Sequence, residues 1–252
     1  MLRYFAILSL LVAVGCSGGA SNSAGKQQGV VPAGTPTAGP LAAQPGTPAA
    51  SGWRKVPEIV VVAARPEDPR ISAVNQAVTF WNETLRSLGS GFKFGSVSVR
   101  VQPVPDQAVV KLSEALLNFD PANRAPYQDA YRSASQGLLL EDLVVMLADA
   151  DFVSFSASVN LMDGRRHVIV GIKSQEYAPF NLPNVFQNVV AHELGHAIGL
   201  VHNSDPSMLM CGRPAACRPD AFQSAQPRYF PLTAGDEAVL SQLYPAGWRP
   251  TP

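Results

Sequence analysis

The chain is poor in cysteine, histidine and charge. Three cysteines in 252 residues exclude a fold stapled by many disulfides. Charged residues make up 15 % of the sequence, and Lys plus Arg equals Asp plus Glu at 19 each. A nucleic-acid binder carries a basic excess, so no nucleic-acid partner is expected. Beyond the N-terminus no apolar run reaches the roughly 20 residues that span a bilayer. Hydrophobic residues nevertheless amount to 46 %, enough to rule out a chain disordered throughout and to build one sizeable core.

The one long greasy run is at the start. Residues 1–16 read MLRYFAILSLLVAVGC, with Arg3 ahead of an apolar stretch from Tyr4 to Val14. This is the pattern of a secretory signal. Its end, Ala13-Val14-Gly15-Cys16, resembles a bacterial lipobox, which implies cleavage before Cys16 and lipidation of its thiol. Residues 1–15 are therefore read as a lipoprotein signal peptide, with a plainly secreted form as the alternative. Either way the folded part is expected outside the cytoplasm, where disulfides persist. Residues 16–52 are almost all Ser, Gly, Ala, Pro, Thr and Gln, with Lys26 their one charge. Such a stretch buries too little apolar surface to offset the entropy of ordering. It reads as a tether with an r.m.s. reach of roughly 30–35 Å, and less readily as a propeptide. Residues 53–252 make the domain, expected to be a monomer.

Within the domain, Glu58–Ala63 has the β-branched composition of a buried strand. Ile71, Val74, Val78, Trp81, Leu85 and Leu88 recur at helical spacing over 71–88, a core stripe ended by Gly89. Residues 92–101 alternate as a strand with a slip near Gly95, and 106–119 suggest a second helix. Residues 120–136 read as a loop with a possible short helix. Leu143–Leu147, Phe152–Val159 and His167–Ile172 are further strands, with a turn at Asp163-Gly164 between the last two. The order of elements indicates an α/β sheet.

Three of the four histidines fall in residues 192–202, His-Glu-Leu-Gly-His-Ala-Ile-Gly-Leu-Val-His. Pro183 and Asn184 can open a helix over this segment. On a helix, positions i and i+4 share a face, so His192 and His196 point the same way. Gly199 can take the left-handed conformation that stops the helix, and the turn would return His202 as a third nitrogen. Three neutral imidazoles suit one Zn²⁺ and leave a fourth position for water. Glu193, one residue round from His192, is placed to reach that water. A closed structural zinc site would need a fourth ligand, for which Cys211 is the available candidate.

The motif H-E-x-x-H-x-x-G-x-x-H, with Ser207-Met208-Leu209-Met210 after it and Leu232-Thr-Ala-Gly-Asp236 through Leu243-Tyr244 beyond, resembles the metzincin metallopeptidases, in particular the matrixins. The likeness extends over residues 57–246, with its specific motifs in 183–244. It implies an α/β (α+β) zincin-like fold: a twisted mixed sheet with one antiparallel edge strand on two long helices, the zinc helix, a Met-turn at Met210, and a C-terminal helix. It also implies one catalytic Zn²⁺ on His192, His196 and His202, with Glu193 as catalytic base, and hydrolysis of peptide bonds in protein or peptide substrates. Substrate would lie against an edge strand within Phe152–Val159, and the loop 211–231 would wall the specificity pocket. Matrixins usually have Ser where this chain has Asn203. Astacins carry a Tyr ligand where this chain has Gly212, so no Tyr ligand is expected. Without a cysteine between Cys16 and the zinc helix, no upstream thiol latch is expected either. Matrixin relatives use Ca²⁺, for which Asp149 and Asp151 are candidates.

Other residues have plainer readings. Cys211 and Cys217 suit a small-loop disulfide in an exported protein, or two free thiols. His167 reads as a surface or strand histidine rather than a ligand. Asp205-Pro206 reads as a turn. The competing function is a zinc-stabilised surface lipoprotein that binds rather than cuts, against which Glu193 speaks.

Overall fold

Five short aliphatic segments pair side by side in the computed structural model, which describes residues 52–212 and 228–251. These described residues all fall in one compact unit. The signal peptide, Cys16, the tether, Cys217 and most of loop 211–231 lie outside the described residues. The strands are β1 (Ile59–Ala63), β2 (Val97–Val101), β3 (Leu143–Leu147), β4 (Phe155–Asn160) and β5 (Arg166–Ile172). Their order in the sheet is β2-β1-β3-β5-β4. All neighbours are parallel except β4, which runs antiparallel to β5 at the edge with Phe155 opposite Gly171 and Asn160 opposite Arg166. This is the expected mixed sheet with one antiparallel edge. β1 and β3 are buried along their whole length, as strands covered on both faces must be.

Alternate side chains divide between two cores. Ile59, Val61, Leu143, Val145, Val168 and Val170 face helices α1 (Pro69–Ser87), α4 (Pro183–Ala197) and α5 (Ala234–Leu243). Val60, Val62, Val144, Met146 and Ile169 face α2 (Asp106–Leu117) and α3 (Ala125–Ala134). The two long helices, α1 and α4, pack together on the first face. None of the helices described is long and apolar enough to cross a membrane.

Helix α1 starts where Asp68 accepts from the Arg70 N–H at 2.9 Å and Pro69 supplies a preset φ. The buried Arg70 guanidinium also donates to Asp68, to the Ala148 carbonyl at 2.7 Å and to Asp149, so the charge is fully paired.

Four expectations are corrected. The strand over 92–101 shortens to 97–101, because Phe94 is held by Asn82 instead of a neighbouring strand: its N–H donates to Asn82 Oδ1 at 2.7 Å. Residues 125–134 are a full helix, not a loop with a short helical piece. Strand β4 begins at Phe155 rather than Phe152. His167 does lie on a strand but is wholly buried, so its surface reading is wrong. Its Nδ1 is 2.6 Å from the Tyr131 hydroxyl, and its Nε2 lies 3.0 Å from the Leu138 carbonyl. Burial lowers its pKa, with the Leu138 bond opposing.

Candidate metal centre

Helix α4 is buried nearly all round, and its polar side chains are spent on holding other segments. Asn188 Nδ2 donates to the Arg228 carbonyl at 2.8 Å, and its Oδ1 accepts from the Phe230 N–H at 2.8 Å. Asn184 Oδ1 accepts from the Arg228 N–H at 2.9 Å. Residues 228–230 are thereby laid along the helix. Three aromatic side chains satisfy its carbonyls. Trp81 Nε1 donates to Ala191 at 2.8 Å, Trp53 Nε1 to Ala197 at 2.9 Å and the Tyr244 hydroxyl to Ile198 at 3.0 Å. A helix leaves its last carbonyls without intrahelical partners, so the last two contacts fill an obligatory need.

The helix stops as expected at Gly199, whose φ is +102°. Leu200 N–H returns to the Gly195 carbonyl and Gly199 N–H to that of His196, both at 3.0 Å, the paired bonds of a Schellman turn. The chain then brings His202 back to the helix. The three Nε2 atoms of His192, His196 and His202 stand 3.0–3.1 Å apart. Among the described residues they form the one group of His, Cys, Asp or Glu gathered closely enough for a metal.

The protonation of this trio follows from its partners. His192 Nδ1 is 2.7 Å from the Leu209 carbonyl, and His196 Nδ1 is 2.8 Å from that of Leu200. A carbonyl only accepts, so each Nδ1 carries its proton and a neutral ring must present a bare lone pair at Nε2. Lone pairs converging at this separation repel one another unless a cation lies among them. A point about 2.0–2.1 Å from each nitrogen, the usual Zn–N distance, exists for such a triangle. Burial, then the charge of His202, push the His196 pKa down to about 4 against the Leu200 bond, which keeps this ring in the ligating form. The donor set and its outer hydrogen bonds fit zinc.

Met210 is fully buried, with its thioether close to Gly195 of the zinc helix. A Cβ added at Gly195 would come 2.7 Å from Met210 Sδ and 2.8 Å from the Trp81 ring, so only glycine allows the helix this close to both. Asn203 ties the return segment down. Its N–H donates to the Met210 carbonyl at 2.8 Å, its carbonyl accepts from Gly212 at 2.9 Å, and its Nδ2 donates to Asp236 Oδ2 at 3.0 Å. The same Asp236 oxygen accepts from the Thr233 N–H at 3.0 Å, closing the capping box of α5. Asp205 makes the expected turn, accepting from the Ser207 N–H at 2.9 Å.

Glu193 follows His192 on α4 and is 7 % exposed. Cys211 is buried, with Sγ 3.3 Å from the Gly212 carbonyl; its pairing with Cys217 falls outside the described residues. Asp149 and Asp151 are engaged by Arg70 and Lys173, and no calcium site is supported there. Sequence reasoning missed Gly195, Asn203 and the carbonyl-binding roles of Trp53, Trp81 and Tyr244. Glycine at a variable position of the zinc motif was the available signal for the first.

Three imidazoles gathered by a helix and its return turn have the donor set of a zinc centre. The model of the family described as Matrixin matches residues 133–245. Residues 133–245 are thus similar to a matrixin domain. Among solved structures, archaemetzincin from Methanopyrus kandleri is similar at 18 % identity, covering 80 % of this chain and 98 % of its own, with a TM-score of 0.41. A zinc-dependent peptidase from Methanocorpusculum labreanum is similar at 17 % identity, covering 72 % and 98 %, with a TM-score of 0.34. No curated protein matches the chain.

Proposed function

We propose that the protein is an exported zinc endopeptidase, held to a bacterial membrane through lipidated Cys16 and acting as a monomer. The observation that carries the catalytic reading is the convergence of the three Nε2 atoms at 3.0–3.1 Å, with Glu193 the residue after His192 on α4. His192, His196 and His202 would hold the ion. When bound, zinc supplies Lewis acidity, polarising the scissile carbonyl and acidifying water. Glu193 accepts a proton from the attacking water as its oxygen bonds to the carbonyl carbon. The same carboxylate then gives that proton to the amine nitrogen as the C–N bond breaks, so water is fully divided between the two products. Met210 and Gly195 set the floor under the ligands.

β4 is paired on one side by β5 and stands at the sheet's end. An extended substrate adding itself antiparallel to β4 would hydrogen-bond along that edge. The loop 211–231 enters as the pocket wall, since its end at 228–230 is fixed to α4 by Asn184 and Asn188. The test is the full chain assayed on unfolded protein with zinc content measured in parallel. Glu193→Gln should keep stoichiometric zinc and lose about 10²–10⁴-fold in kcat. Undiminished cleavage by that variant overturns the assignment. Zinc loading without turnover by the parent chain favours the binding-module reading.

A further inference from the structure

The two most exposed large apolar side chains among the described residues stand at the same end of the sheet. Leu140 is 86 % exposed and Met162 wholly so. Leu140 precedes β3, and Met162 lies in the hairpin between β4 and β5. Arg165 joins the two segments. Its guanidinium donates to the Leu139 and Leu140 carbonyls at 3.3 and 3.4 Å and to Asp163 at 2.8 Å. The hairpin is closed by the Leu161 N–H donating to the Arg165 carbonyl at 2.8 Å. The two side chains are thus displayed on segments held by hydrogen bonds, uncovered by the core.

The same end receives the chain from its N-terminal segment. Lys55 pairs with Asp142 at 2.8 Å, and the Glu58 N–H donates to the other Asp142 oxygen at 3.1 Å, two residues past Leu140. Residues 55–58, near the start of the described chain, therefore run beside this patch. The charge here does not oppose a phosphate surface. Glu141, Asp142 and Asp163 are each paired, with Arg100, Lys55 and Arg165.

We propose that this end of the domain is a lipid-contact surface, with Leu140 and Met162 entering the interfacial layer of the bilayer. The inference rests on the anchored reading above. Two apolar side chains bind a bilayer weakly by themselves, but a tethered domain meets that surface at high effective concentration.

The test places tryptophan in the patch. Leu140→Trp, Met162→Trp and, on the exposed face of α1, Gln76→Trp are made in the full chain and purified from membranes. Each is reconstituted into phosphatidylethanolamine–phosphatidylglycerol vesicles with brominated acyl chains. Flotation reports the anchor, and quenching reports the surface. The patch variants should be quenched about twofold more than the parent chain, and Gln76→Trp no more than the parent. Flotation with equal quenching in all chains keeps the anchor and overturns the surface. Quenching of the patch variants without flotation keeps the surface and overturns the anchor. Neither flotation nor quenching overturns both. A patch covered by a second copy, seen as a doubled mass that Leu140→Asp abolishes, also overturns the lipid surface.

Discussion

The two faces of the sheet are built to different ends. On the α1–α4–α5 face, polar atoms inside the core are aimed at particular backbone groups: indoles and a phenol at carbonyls of α4, and two asparagines at residues 228–230. On the α2–α3 face the filling is aliphatic and aromatic with fewer such anchors: His167 with Tyr131 and Leu138, the Ser113 hydroxyl on the Val153 carbonyl, and the Tyr127 hydroxyl on that of Ser158. Hydrophobic burial is non-directional, whereas hydrogen bonds fix distance and angle. The first face positions atoms for chemistry, and the second supplies stability to the wall they share.

Changes on each face should therefore separate chemistry from stability. The largest effect is expected from chelation of the metal, which should abolish cleavage. It should also raise amide exchange in α4 and 202–211 while β1 and β3 stay protected; a uniform rise would erase the contrast. Next comes Leu112→Ala, which empties a fully buried site on the far face. It should cost about 2–5 kcal/mol by denaturant melts and leave zinc affinity and kcat unchanged. Gly195→Ala drives a methyl against Met210 and Trp81, so it should cost about 1–3 kcal/mol and lower zinc affinity too. Asn203→Ala frees the Asp236 link and should destabilise by about 1 kcal/mol, with metal exchange faster in a chelator competition.

The smallest effect is the pH dependence. Burial lowers the His167 pKa, so the folded ring resists the proton that an unfolded one takes near pH 6.5. The unfolded state binds more protons in that range, so stability is full above about pH 6.5 and falls as acid is added. His196 has the same sign, with its window reaching down to about 4 in the ion-free protein. His167→Gln should flatten the acid slope of the metal-free melting temperature, and an unchanged slope would place the loss wholly at the zinc face.

Legibility in the sequence followed the kind of burial. The strands of the central sheet announced themselves, since β1 and β3 are covered on both sides and carry unbroken apolar runs. The histidine trio was readable because helix spacing and one glycine dictate where the rings go. Helix α3 registers in the sequence only as a possible short piece within 120–136, because just Tyr131 and Ala134 of its ten residues are buried. His167 was misplaced for the reverse reason: flanked by Arg165 and Arg166, it looked solvated, and its partners Tyr131 and Leu138 lie some thirty residues upstream. The indole-to-carbonyl bonds were invisible because they join residues far apart, Trp53 with Ala197 and Trp81 with Ala191.

The span of those bonds sets an order of assembly. The end of α4 is secured by Trp53, the second described residue, and by Tyr244, close to the C-terminus. Trp53 N–H donates to the Tyr244 hydroxyl at 3.0 Å, so the first and last parts of the described domain clasp each other at the end of the helix that bears two of the histidines. A polypeptide still emerging, or one truncated before its last helix, lacks half of that clasp. The histidine-bearing helix end is thus secured only once α5 is in place, so a chain cut before Ala234 should hold the metal more weakly.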